Sequence, residues 1–261
     1  TKMNILLTIA VTFFAGMGAG LGTGFAGMSA AAVISPMLIT FLKMDPYMAV
    51  GIALSSDVLA SAVSAYIYGK NKNLDIKNGI IMMISVLTFT VVGSYIASLL
   101  PAATMGSFSV FMTFLLGIKF IVRPVMTTKE AMQGVSAKKR AIQSVVCGIM
   151  IGLICGFVGA GGGMMMLLIL TSVLGYELKT AVGTSVFIMA FTAFTGAVSH
   201  FMIVGAPDWT VFILCVVFTL IWARIAARFA NKATPKTLNR VTGVILVILG
   251  IAVWVFSRLS K

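Results

Sequence analysis

Ten stretches of apolar residues, most of them long enough to cross a lipid bilayer as a helix, follow one another with only short connections. They cover about 4–23, 27–42, 48–68, 78–99, 105–122, 141–158, 162–175, 180–203, 209–229 and 237–257 of the 261 residues. A crossing helix needs roughly 20 apolar residues, so nearly the whole chain is committed to the membrane. Composition agrees: 60% of residues are hydrophobic and 10% charged, with mean hydropathy +1.10. A soluble domain has about 45–50% and about 25%. A disordered tail and a disulfide-stapled secreted domain are excluded on the same grounds. The expectation is an all-α polytopic protein, multi-pass in the cell membrane, whose function resides inside the bilayer.

The net charge of +13 would suit a nucleic-acid ligand in a soluble protein. Here the basic residues sit in short loops, as in Lys70-Asn71-Lys72 and Lys138-Lys139-Arg140, which is how orientation signals are distributed, so nucleic acid is not an expected partner. Cys147, Cys155 and Cys215 lie in apolar runs without metal-ligand spacing and read as small packing residues. Ile5 to Phe14 has the make-up of a signal-peptide core, but its recurrence within the chain marks it as part of a repeated unit.

Shifting the sequence by 132 positions superposes Gly16, Gly20, Leu21, Gly24, Phe25 and Gly27 on Gly148, Gly152, Leu153, Gly156, Phe157 and Gly159. The same shift brings Ala49-Val50-Gly51 onto Ala181-Val182-Gly183 without a gap. The chain is therefore an internal duplication: a first transmembrane repeat over 1–122, a basic cytoplasmic linker over 123–140 and a second repeat over 141–261, each of about five helical segments. In each copy the first two runs flank a glycine-rich stretch. Residues 4–42 as one straight helix would be about 58 Å long, nearly twice the hydrocarbon thickness, so each pair reads as a broken or re-entrant hairpin. Charge relates the copies. The loop with Lys70, Lys72 and Lys77 corresponds to the uncharged-to-acidic Val204–Asp208, whereas Pro101–Thr104 corresponds to a loop with Arg228, Lys232 and Lys236. Equivalent loops thus face opposite sides, and the repeats are inverted. About fifteen of the nineteen Lys and Arg then lie on one face; Lys2, Lys43, Arg258 and Lys261 do not.

Inverted repeats with interrupted helices suit a secondary transporter, because broken segments expose backbone groups near the midplane. The irregular element is expected to hold Gly16, Gly18, Gly20, Gly22, Gly24 and Gly27 in copy one, and Gly159-Ala160-Gly161-Gly162-Gly163 in copy two. Glycine lets backbone N–H groups approach a ligand, and the helix that follows adds its positive end, so the natural guest is an anion. Spacing by four alone also fits close helix packing. Three consecutive glycines are costly inside a helix and point to a backbone site.

Gly159-x-Gly161-Gly162-Gly163, followed by Ala181-Val182-Gly183-Thr184-Ser185, resembles the TauE/SafE sulfite exporter family, also called the 4-toluene sulfonate uptake permease family. Gly27-Met28-Ser29-Ala30-Ala31-Ala32 with Pro36 and Ala49-Val50-Gly51 matches the degenerate first copy. The resemblance spans nearly the whole chain and implies a permease for sulfite, sulfonates or related anions. Two departures stand out: copy one lacks the triple glycine, and Leu168 occupies the place of Pro36.

The expected substrate-binding residues are Gly27, Met28, Ser29, Gly159, Gly161, Gly162 and Gly163 at the turns, with Ser55, Ser56, Thr184 and Ser185 on the run after each hairpin. Hydroxyls can donate to oxyanions without a fixed charge. They can equally bond back to their own helix. Asp57 is the one acid of six placed at depth, which marks it as a proton-coupling candidate or a carboxyl held by neighbouring serines. His200 reads as a satisfied interfacial histidine, and Arg224 with Arg228 as snorkelling anchors. No metal, cofactor or phosphate loop is expected, and the chain is not expected to be an enzyme. The expected partners are a small anion, the lipid bilayer and, as one option, a second copy in a homodimer. The rival functions are transport of a carboxylate, intramembrane catalysis through Asp57, His200 or a cysteine, and a non-transporting membrane subunit.

Overall fold

The computed structural model describes residues 5–98, 105–158 and 162–259. Among the described residues the secondary structure is helical: α1 (Ile5–Ala26), α2 (Ala31–Leu42), α3 (Pro46–Lys70), α4 (Ile76–Ser98), α5 (Met105–Val122), α6 (Lys129–Gln133), α7 (Ala137–Val158), α8 (Gly162–Ser172), α9 (Leu178–Val204), α10 (Trp209–Lys232) and α11 (Pro235–Leu259). All ten apolar runs appear as helices, and α6 is added between the copies. Six helices among the described residues are long and apolar enough to cross a membrane. Large apolar side chains such as Leu6, Ile84, Val91, Ile213 and Ile248 point outward, while Thr12, Thr23, Ser56, Asp57, Ser61 and Thr219 are buried. That reverses the pattern of a soluble protein and suits lipid as the surrounding solvent.

Local chemistry sets several helix starts. Asp45 caps α3 by accepting the Met48 N–H at 3.1 Å, with Pro46 in the first turn. Asp208 caps α10 by accepting the N–H groups of Thr210 and Val211 at 3.0 and 3.2 Å.

Glycines let helices approach to backbone contact. A β-carbon on Gly16 would lie 2.6 Å from Phe218 Cβ, and one on Gly20 2.7 Å from Trp222 Cβ. In the second copy, one on Gly148 would lie 2.7 Å from Ser85 Cβ, and one on Gly152 2.9 Å from Phe89 Cβ. Thus α1 packs along α10 and α7 along α4, each pair running in the same direction. The expectation that Gly16 to Gly24 belong to an irregular element is corrected: they lie inside α1, which runs on to Ala26, with Gly16, Gly20 and Gly24 packed on α10 as spacing by four allows and Gly18 and Gly22 facing Leu249 of α11.

The third helices of the two copies cross in reciprocal fashion. Gly51 of α3 faces His200 Cβ of α9, while Gly183 of α9 faces Tyr68 Cβ of α3. Both pairs are related by the 132-residue shift, and they set α3 antiparallel to α9. Lys179 reaching the Asn231 carbonyl at one end, and the Phe201–Phe212 ring contact at the other, make α10 antiparallel to α9. It follows that α1, α10 and α3 share one direction, so the chain must return through α2, whose 12 residues rise about 18 Å.

The basic loops gather on one face. Asn73 donates to Asn231 at 2.6 Å and Lys129 to the Lys72 carbonyl at 3.0 Å, joining the α3–α4 loop, α6 and the end of α10. Lys138, Lys139 and Arg140, expected in a linker, already belong to the start of α7. Apolar patterning starts that helix too late, because long basic side chains continue a helix beyond the apolar zone.

Gly20→Ala and Gly152→Ala are expected to destabilise the fold by about 1–3 kcal/mol each, since the new methyl meets backbone rather than a flexible side chain. Gly134→Ala, whose nearest neighbour is at 3.5 Å, should be neutral. Thermal unfolding of the detergent-solubilised variants measures the difference.

Candidate functional site

Breaking a helix inside an apolar environment frees carbonyl and N–H groups that need new partners. At the end of α1 the chain turns through Gly27 with φ +60°, a conformation that favours glycine. The freed carbonyls are met by side chains. Tyr68 of α3 donates to the Gly24 carbonyl at 2.8 Å, Thr242 of α11 to Phe25 at 3.2 Å, Ser185 of α9 to Gly27 at 3.3 Å and Thr23 to Met28 at 2.8 Å.

The other side of the break offers donors. The Ser29 hydroxyl donates to Asp57 Oδ2 at 2.7 Å. Ser61 donates to Asp57 Oδ1 at 2.9 Å. Asp57 is 1% exposed and has hydroxyl partners rather than a cation among the described residues. Its carboxylate therefore sits at the amino-terminal end of α2, where the helix dipole favours negative charge.

The start of α8 comes to the same place. A β-carbon on Gly163, near the start of α8, would lie 2.6 Å from the Gly27 carbonyl oxygen and 3.1 Å from the Ser29 nitrogen. The amino-terminal ends of α2 and α8 thus meet, with Ser185, Met28 and Met189 packed around them. Gly162 opens α8, whereas Gly159 and Gly161 lie outside the described residues.

The expected hydroxyls divide. Ser185 faces the break. Ser55 and Ser56 donate to the carbonyls of Gly51 and Ile52 in their own helix. Thr184 is turned to the α3–α4 loop, where its hydroxyl accepts the Asp75 N–H at 3.2 Å. His200 departs from the expectation of a satisfied histidine: its ring lies against Tyr47, and Nδ1 is buried with no partner among the described residues. Arg224 and Arg228 are exposed along α10.

Four contributors were not visible as site residues in the sequence: Tyr68, Thr23, Thr242 and Met189. The repeat shift held a signal for the last of them, because it carries Asp57 onto Met189. One copy therefore supplies a carboxylate where the other supplies a thioether. Among the described residues no group of three or more His, Cys, Asp or Glu could hold a metal ion, and the cysteines are free thiols.

A family model described as sulfite exporter TauE/SafE matches residues 12–253. The chain belongs to this family. It is 25% identical over 244 residues to the probable membrane transporter protein YunE of Bacillus subtilis (strain 168), covering 88% of this chain and 89% of that protein. The probable membrane transporter protein YdhB of the same organism is 24% identical over 216 residues, covering 81% and 86%. The probable membrane transporter protein MJ0441 of Methanocaldococcus jannaschii is 23% identical over 267 residues, covering 96% and 97%. No solved structure matches the chain. This TauE/SafE family member is a multi-pass membrane protein, and its curated relatives are named as transporters rather than enzymes.

Ser29→Ala and Ser61→Ala are each expected to lower stability by about 1–3 kcal/mol, by removing a donor from a buried carboxylate. In a double-mutant cycle, Ser29→Ala combined with Asp57→Asn should cost clearly less than the two single changes added. Additive effects, measured by thermal unfolding, would show that the hydroxyl and the carboxylate act independently.

Proposed function

We propose that this protein is a secondary permease for sulfite or a small organosulfonate-type anion, working by alternating access between two inverted repeats, 1–122 and 141–261, joined by the basic linker 123–140. The observation that carries this is the meeting of the α1–α2 break with the start of α8 in the interior, where Ser29 and the amino-terminal ends of α2 and α8 present donors to one spot. Fixed dipoles and N–H groups can replace the hydration of an oxyanion without a buried cation. The opposed directions of α3 and α9 support the inverted relation, and the family's description supports the sulfite class.

Asp57 gives this site a means of coupling. While ionised, its carboxylate occupies the Ser29 hydroxyl, a donor an incoming anion would use, and repels that anion as well. Protonation removes the repulsion and loosens the hold on that donor, so substrate and proton enter together. Linkage then requires that substrate affinity increase as pH falls.

A carboxylate substrate is the second reading, because the donor set already holds one carboxylate, that of Asp57. A thermal-shift series with sulfite, taurine-like sulfonates, thiosulfate and small carboxylates separates the two classes: a bound anion raises the unfolding temperature by mass action. Gly163→Leu, which would fill the meeting point of α2 and α8, should abolish the shift. Full stabilisation of that variant would exclude the site. In proteoliposomes Asp57→Asn should bind the anion with an affinity independent of pH and lose pH-dependent flux. Retained pH dependence would remove Asp57 from coupling.

A further inference from the structure

Exchanging the two copies maps the α8–α9 turn onto the α2–α3 turn, and the backbones agree closely. Gly175 has φ +65° and Lys43 φ +53°. The next N–H reaches back six residues in both turns, from Tyr176 to the Leu170 carbonyl at 2.9 Å and from Met44 to Leu38 at 3.3 Å. An acidic residue then precedes each following helix, Glu177 and Asp45. The scaffold is shared, so what differs between the faces lies in the side chains.

On the basic face the turn carries Tyr176, which is 1% exposed and donates to Asp75 Oδ2 at 2.8 Å. Asp75 belongs to copy one and Tyr176 to copy two. Arg140, at the start of α7, lies with its guanidinium carbon 5.0 Å from the Tyr176 ring centre and donates to the Met132 carbonyl. It is 7% exposed, unusually deep for a residue of a basic loop cluster. Burial, with the Asp75 carboxylate alongside, pushes the Tyr176 phenol well above its ordinary value, so it remains a donor at physiological pH. On the opposite face the residue equivalent to Tyr176 is Met44, which has no hydroxyl to offer. Asp75 and Asp208 each precede the fourth helix of their copy and each caps it, Asp75 by accepting the Asn78 N–H at 3.1 Å and Asp208 the N–H groups of Thr210 and Val211. Asp75 Oδ2 accepts from the Asn78 side chain as well as from Tyr176. Among the described residues, the tie from Tyr176 to Asp75 thus has no counterpart between Met44 and Asp208 on the other face.

We propose that Asp75, Tyr176 and Arg140 form the gate that closes the basic face of the carrier, and that this structure is the conformation shut on that face. The assignment rests on the alternating-access reading above. It adds that opening toward the basic side requires the Tyr176 hydroxyl to leave Asp75 while Arg140 withdraws from the ring. A hydrogen bond to a charged group between two moving parts biases a two-state equilibrium by about tenfold or more. The ring contact with Arg140 adds to this and excludes water from it.

The test uses the full chain in vesicles of known orientation, with Cys147, Cys155 and Cys215 changed to alanine and Ser185→Cys as a reporter beside the helix break. A membrane-impermeant charged maleimide is applied from the basic face. Tyr176→Phe, which keeps the ring and the cation contact, should raise the labelling rate from that face about tenfold. Asp75→Asn should raise it in the same direction, and serves if the phenylalanine variant does not fold. Labelling from the opposite face should fall or stay constant. Unchanged labelling from the basic face in both variants, at the parent's unfolding temperature, overturns the gate, as does an equal rise from both faces, which marks general loosening. Labelling needs no substrate. Failure of the permease reading would show separately, as a parent protein that no anion stabilises or crosses.

Discussion

An interrupted helix in lipid must find partners for its freed backbone groups, and that need organises this protein. The break after α1 is tolerated because Tyr68, Thr242 and Ser185, drawn from three other helices, take up its carbonyls. The Ser29 hydroxyl just beyond it is held by Asp57. Each contact is modest, but losing a partner would leave a buried polar group without water to replace it. The break therefore fixes the relative positions of α1, α3, α9 and α11. Polar residues gather at the centre, and the apolar ones are left to face lipid.

Close packing supplies the rest of the frame. The hydrophobic effect does not drive helices together in lipid, so association depends on contact at short range. Bare glycine faces on α1 and α7 give that contact with α10 and α4. The same residue type serves two ends within one stretch. From Gly16 to Gly24 glycine permits a neighbour to approach, and at Gly27 it permits the chain to turn.

Much of this was legible in the sequence. Apolar run lengths placed the ten helices that the apolar runs become, and the glycine register marked the faces along which α1 and α7 pack. The site was legible only in part. Ser29 and Asp57 both stood out, yet 28 residues separate them and nothing in their spacing announces a hydrogen bond. The end of α1 was misjudged because glycine is as compatible with a packed helix as with a loop, and only the partner α10 decides between them. Tyr176 and Asp75, 101 positions apart, carry no pattern at all. Contacts between the two copies depend on how the halves dock, and a single sequence does not report that.

The glycine register gives the two halves similar packing: α1 lies along α10 as α7 lies along α4, and α3 runs opposite to α9. At the helix break the halves differ, since the 132-residue shift sets Asp57 of α3 against Met189 of α9. One is an ionisable carboxylate and the other a soft, neutral sulfur. Whatever directional bias this molecule has is therefore inscribed in a handful of unlike side chains, and could be rewritten there without disturbing the architecture.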